Sequence, residues 1–143
     1  MATPIQIVFD CSDPDKLARF WAAALHYRIQ DPPEGFASWE KFLEAQGVPK
    51  EEWNSASAIV DPEGKGPRIF FQRMATPKPE KNRLHIDVNA SKRGTPPEEQ
   101  RKQVDAEVER LVKLGSKKLH AMDEDGEYWV VMQDIEGNEY CVQ

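Results

Sequence analysis

Ile5-Gln6-Ile7-Val8-Phe9-Asp10 and Leu84-His85-Ile86-Asp87-Val88-Asn89 repeat one pattern: a short strand-like run, then a helical stretch. Each half also closes on an acidic turn and a last strand. In the first half Asp61-Pro62-Glu63-Gly64 leads to Arg68-Ile69-Phe70-Phe71-Gln72. In the second Asp134-Ile135-Glu136-Gly137 leads to Glu139-Tyr140-Cys141-Val142-Gln143. A tandem duplication of this kind predicts an α+β fold. Two βαβββ modules would form a curved mixed sheet with helices outside, and the resulting cup would suit a small molecule.

Working outward, Ser12-Asp13-Pro14 reads as a helix start, with Ser12 or Asp13 as cap and Pro14 at the first helical position. The helix runs to about Leu25, with Leu17, Phe20, Trp21 and Ala24 at helical spacing. Asp31-Pro32-Pro33-Glu34-Gly35 breaks the pattern. Residues 36–53 have no counterpart in the second half and read as an insertion, with Trp39, Phe42 and Leu43 on a short helix. In the second half Pro96-Pro97 starts a helix with Thr95 as cap. Val104, Val108, Leu111 and Val112 point inward, and Gly115 follows the C-terminus. The expected layout is one domain over residues 1–143. Module 1 spans about 4–74, the insertion about 31–54 and module 2 about 82–143.

With 143 residues, 39% hydrophobic and 31% charged, the chain has the composition of a globular protein. A net charge of −6 argues against nucleic acid or an anionic membrane as the main partner. Two cysteines, Cys11 and Cys141, make neither a disulfide framework nor a zinc-finger spacing. No leader-like pattern is read at the start, and a cytoplasmic location with reduced thiols is expected.

Strand alternation assigns the faces. Ile5, Ile7 and Phe9 would pack under the first helix, leaving Gln6, Val8 and Asp10 on the cup side. Leu84, Ile86 and Val88 would pack in the second half, leaving His85, Asp87 and Asn89 opposite. Arg68, Phe70 and Gln72 take the cup side of one closing strand, and Glu139, Cys141 and Gln143 that of the other. The duplication sets Gln6 against His85 and Phe70 against Cys141. Trp39 and Trp53 lie in the insertion, which would serve as a lid. With Phe70 they would stack on a planar ligand. The plainer reading of these aromatics is core packing, and of His85 a histidine held by Asp87, Asn89 or a carbonyl.

The segments Phe9 to Pro14 with Leu17-Ala18-Arg19-Phe20-Trp21, Lys81 to Val88, and Val131 to Glu139 carry a resemblance. They are similar to glyoxalase-like proteins of the vicinal oxygen chelate superfamily, which includes glyoxalase I, bleomycin-resistance proteins and extradiol dioxygenases. The resemblance implies the fold above, a homodimer, and up to four metal-ligand positions. Those positions hold Gln6, Phe70, His85 and Cys141. Gln6 and His85 suit an ion, and Phe70 does not. Glu139 would complete the set, also as the catalytic carboxylate, and Gln72 would stand in for Phe70. A thiolate at Cys141 favours zinc; nickel and manganese are the other candidate ions.

Three readings follow. One is metal-free small-molecule binding of the resistance or sequestration type, with Gln6, Phe70, Gln72, His85, Cys141, Trp39 and Trp53 around the ligand. Another is a divalent-metal-dependent lyase or isomerase for a substrate with vicinal oxygens, with Gln6, His85 and Glu139 on the ion. The third is a dimeric interaction module without a ligand.

Overall fold

The computed structural model describes residues 1–2 and 4–143. The chain forms two compact units, Met1–Pro77 and Lys78–Gln143. The first runs β1 (Ile7–Cys11), α1 (Pro14–Leu25), β2 (Arg28–Ile29), α2 (Trp39–Ala45), a 3-10 turn (Lys50–Glu52), β3 (Ala56–Val60) and β4 (Ile69–Arg73). The second runs β5 (Asp87–Val88), α3 (Pro97–Lys113), β6 (Lys117–Glu124), β7 (Glu127–Gln133) and β8 (Glu139–Val142).

Each unit holds a four-stranded mixed sheet, in order β1-β4-β3-β2 and β5-β8-β7-β6. The two orders are the same once β5 to β8 are renumbered from one. In each unit the first and last strands pair parallel and the remaining neighbours antiparallel. The duplication is therefore a property of the topology. The registers agree as well: Val8 pairs with Phe70, and Asp87 with Cys141.

In the first unit α1 covers one face of the sheet. Asp13 caps it, its carboxylate accepting from Lys16 N at 3.1 Å. Leu17, Ala18, Phe20 and Trp21 are buried against Ile59, Ile69 and Phe71. Phe9 stacks on Phe71 with ring centroids 5.3 Å apart and meets Trp21 at 5.6 Å. In the second unit Val104, Val108 and Leu111 of α3 bury against Val130, Met132 and Tyr140. Buried and partly exposed residues alternate along β7, as a strand with one covered face requires.

Four local expectations are corrected. Ile5 and Leu84 do not pack: they are 71% and 83% exposed, because the ladders begin only at Ile7 and Asp87. Val112 is 45% exposed, since Val104, Val108 and Leu111 already fill the stripe that α3 turns to the sheet. Thr95 does not cap α3. The N-cap is Pro96 without a side-chain bond, and the Thr95 hydroxyl donates to Lys92 O at 2.7 Å.

The acidic turns behave as their chemistry predicts. Asp61 accepts from the backbone N–H groups of Glu63, Lys65 and Gly66, and Asp134 from those of Glu136 and Asn138. The hairpin between β6 and β7 is a tight one. Only Asp125 and Gly126 turn it, with φ of 51° and 80°, as a type I′ connection demands.

Candidate functional site

Both sheets carry a row of cross-strand pairs on the face turned away from the core. In the first unit the row is Gln6–Arg68, Val8–Phe70 and Asp10–Gln72. Arg68 Nη1 donates to Gln6 Oε1 at 2.7 Å, and Gln72 Nε2 to Asp10 Oδ1 at 2.7 Å. In the second, Asp87 pairs with Cys141, and Gln143 Nε2 donates to Asn89 Oδ1 at 3.0 Å. Alternation places these residues opposite Ile69 and Phe71, or Tyr140 and Val142, all buried.

The first unit holds a half-open cavity of about 700 Å³. Its walls include Ile29, Phe70 and Arg68 from the sheet side, and Trp39, Leu43 and Trp53 from the insertion. The insertion is a built structure. Ser38 caps α2, its hydroxyl oxygen accepting from Lys41 N at 3.2 Å. Phe36 and Trp39 meet Phe42 edge-on at 5.1 and 5.8 Å. Trp39 Nε1 donates to Gln30 O at 2.7 Å, tying α2 to the end of β2. Trp53 Nε1 donates to Val48 O at 2.8 Å. With their N–H groups so engaged, both indoles present only ring surface to the cavity.

Arg68 is fixed from two sides. Besides Gln6, its Nε donates to Gln30 Oε1 at 2.6 Å, and its guanidinium carbon stands 5.4 Å from the Phe70 ring centroid. The amide oxygen of Gln6 therefore faces a permanent cation. Phe70 offers only hydrocarbon. These two metal positions of the superfamily do not fit a divalent ion here.

The second unit gathers a different group. Nitrogen of His85, a carboxylate oxygen of Asp87 and Sγ of Cys141 lie within 4.8 Å of one another. His85 Nδ1 is 2.8 Å from Asp87 Oδ1. The contact orients the ring as a supporting carboxylate orients a metal-binding histidine, with Nε2 as the nitrogen it does not engage. Burial, with the Asp87 charge behind it, pushes the Cys141 thiol up, against a smaller downward pull from Lys81. Lys81 does not offset burial and the Asp87 charge, so the sulfur keeps its proton at neutral pH; zinc would remove it. Nitrogen, oxygen and sulfur donors together suit zinc better than manganese, so this group fits a metal by its chemistry.

Glu139 is committed elsewhere. Its Oε1 is 3.1 Å from Lys78 Nζ and its Oε2 accepts from Asn82 N at 2.8 Å. Burial pushes its carboxyl up, but the bonds from Asn82 and Lys78 outweigh this and hold it below its ordinary value. Such a group is an anchor for the segment ahead of β5, with neither oxygen idle.

The sequence-derived residues thus fall into two sets. Trp39, Trp53 and Phe70 line the cavity of the first unit, and Gln6 reaches it through Arg68. His85 and Cys141 meet in the second unit. Gln72 is held by Asp10, and Glu139 by Lys78 and Asn82. Two further residues join these sets. Arg68, expected on the cup side with Phe70, carries a charge that the sequence alone leaves open between an anion-friendly rim and ordinary solvated charge, and here it stands in the cavity wall. Asp87, expected as a support for His85, also stands beside Cys141.

Residues 6–143 match the family model of the glyoxalase-like domain. The chain belongs to that family, and so to the vicinal oxygen chelate superfamily. Solved structures agree in fold. A possible glyoxalase from Bacillus cereus is 11% identical, with 100% of this chain and 99% of that one covered and a TM-score of 0.61. The fosfomycin resistance protein FosX of Listeria monocytogenes, solved with Mn(II) and 1S,2S-dihydroxypropylphosphonic acid, is 14% identical, with 100% and 90% covered and a TM-score of 0.61. Hypothetical protein SA1046 from S. aureus is 16% identical, with 99% and 96% covered and a TM-score of 0.59. No curated protein matches the chain. Among the described residues no helix is long and apolar enough to cross a membrane.

Proposed function

We propose that this protein binds a small planar molecule in the cavity of its first unit, without a metal at that site, as a sequestering or resistance-type protein would. The observation that carries this is the cavity itself: about 700 Å³, walled by Trp39, Trp53 and Phe70 with Arg68 beside them. That volume falls within the roughly 300–1,000 Å³ of small-molecule sites. Each indole stacking on a ligand ring adds about 0.5–1.5 kcal/mol beyond the area it covers. A thermal-shift screen of fused-ring aromatics tests the reading. Hits should raise Tm in wild type and lose most of that shift in Trp53→Ala. An absence of hits across the screen contradicts it.

A second reading is favoured by one separate observation, the proximity of His85, Asp87 and Cys141. These residues would hold a divalent ion, with zinc preferred by their chemistry. The ion would supply Lewis acidity for a lyase or isomerase acting on vicinal oxygens. In that reading Asp87 takes the place expected for Glu139. Stoichiometric zinc in protein purified without chelator supports it, and metal-free protein that zinc does not stabilise opposes it.

A homodimer is part of the same proposal. β6 is an edge strand, exposed at every residue but Met122, and reads Lys117-Lys118-Leu119-His120-Ala121-Met122-Asp123-Glu124. Antiparallel pairing with a second copy would set Lys117 against Glu124 and Lys118 against Asp123, which already holds Arg101. Light scattering behind size exclusion should give a dimer for wild type and a monomer for Lys117→Glu/Lys118→Glu; a monomeric wild type contradicts it.

A further inference from the structure

We infer that the ligand of the first unit's cavity is an anion: a flat aromatic body bearing a carboxylate that Arg68 receives. The inference rests on the cavity reading above and adds the chemical class of the ligand. Arg68 is half-buried in the wall, and its two hydrogen-bond partners, Gln30 Oε1 and Gln6 Oε1, are neutral amides. The Phe70 ring is neutral too. Among the described residues, no carboxylate forms an ion pair with it.

The other charges around the cavity are balanced differently. Asp15 is paired with Arg19 at 3.0 Å, and Asp31 with Arg28 at 2.8 Å. Glu40 is exposed on α2, and its charge acts on Arg19. Arg68 is thus a positive charge facing the cavity with no anion assigned to it. A guanidinium has five N–H donors, and the two glutamines use one at Nε and one at Nη1. The remaining Nη1 and Nη2 hydrogens are available to a ligand, and the glutamines fix the plane in which they point. A carboxylate matches a fork of this geometry with two parallel bonds. Pre-set donors lower the ordering cost of binding. Trp39 and Trp53 supply the flat apolar surface for the rest of the ligand.

The test compares 2-naphthoate with 2-naphthamide, the same ring with and without the charge, by isothermal titration calorimetry on the full chain. In wild type the acid should bind at least about tenfold more tightly than the amide. In Arg68→Met that preference should fall to near parity, while Arg68→Lys should retain part of it. Equal affinity for acid and amide in wild type overturns the anion inference and leaves the cavity reading standing. An undiminished preference in Arg68→Met overturns it as well. Failure of both probes to bind wild type removes the cavity reading and the inference together.

Discussion

The amide oxygen of Gln6 lies 2.7 Å from Nη1 of Arg68, and accepts a hydrogen bond from it across the parallel β1–β4 pair. The first strand's ligand position, by the superfamily's pattern, is therefore spent on orienting a cation. This bond joins the superfamily's first-strand ligand position to a charged group on the cavity wall.

Gln6→Ala should separate the two roles. Loss of one hydrogen bond to the half-buried guanidinium costs about 1 kcal/mol of stability. The variant should weaken 2-naphthoate binding several-fold, with Arg68 less firmly oriented, and leave zinc affinity unchanged. A calorimetric titration with each probe checks both. Reduced zinc affinity would return Gln6 to the metal.

Zinc should raise the Tm of chelator-stripped protein, because a ligand that binds only the folded state stabilises it by mass action, about 2.7 kcal/mol at 100 times Kd. Cys141→Ser and Asp87→Asn should each shrink the shift, and manganese should give less of it. The shift should grow with pH, since the raised Cys141 thiol must lose its proton to bind. Equal shifts in wild type and Cys141→Ser would contradict the assignment of this cluster.

Glu139 contributes to the acid side of the stability profile, together with Asp13 and Asp61, whose carboxyls are also held below their ordinary value by hydrogen bonds. The Glu139 carboxyl is held below its ordinary value of 4.5, so the folded state binds fewer protons than the unfolded chain as the pH drops past that value. The stability it contributes is complete above about pH 4.5 and is lost as pH falls through the lowered pKa. Urea midpoints from pH 3 to 7 should fall less steeply in Glu139→Gln than in wild type, from a lower neutral plateau. Parallel profiles would show that the anchor to Lys78 and Asn82 contributes nothing.

Tyrosine ionisation governs the alkaline side. Burial pushes both Tyr128 and Tyr140 up to about 12, helped in Tyr128 by the hydrogen bond its hydroxyl donates to Asp105. A raised pKa means that the stability it contributes is present below the ordinary value of 10 and lost as pH rises toward 12. Tyrosinate absorbance at 295 nm should stay low at pH 10 while circular dichroism remains native. Two of the three tyrosines ionising at pH 10 in folded protein would contradict the packing described for them.

Much of the fold was legible because it is written twice. The strand–helix–strand order, the Asp13 cap and the Asp61 and Asp134 turns all follow from local chemistry. Alternation also placed Phe70 on the cavity face of β4 and set Cys141 on β8 opposite the buried Tyr140 and Val142. The strand starts were less legible. Ile5 and Leu84 are as apolar as their neighbours, and only the absence of a ladder partner leaves them exposed. Tertiary contacts decided the rest. Nothing local says that Lys78 and Asn82 occupy Glu139, or that Gln6 and Gln30 both turn to Arg68. Trp39 and Trp53 could be placed in an insertion, but their exposure to a cavity depends on hydrogen bonds to Gln30 O and Val48 O that composition does not reveal.

The central claim is that the first unit's cavity is where a ligand binds, and the four tryptophans give a direct readout of it. Trp39 and Trp53 line the cavity, while Trp21 is in the core at 1% exposure and Trp129 is on β7 of the other unit. In a nitrogen-15 correlation spectrum titrated with 2-naphthoate, the indole N–H signals of Trp39 and Trp53 should shift together, with those of Trp21 and Trp129 unmoved. Shifts confined to Trp129, or no shift in any of the four, would contradict the account.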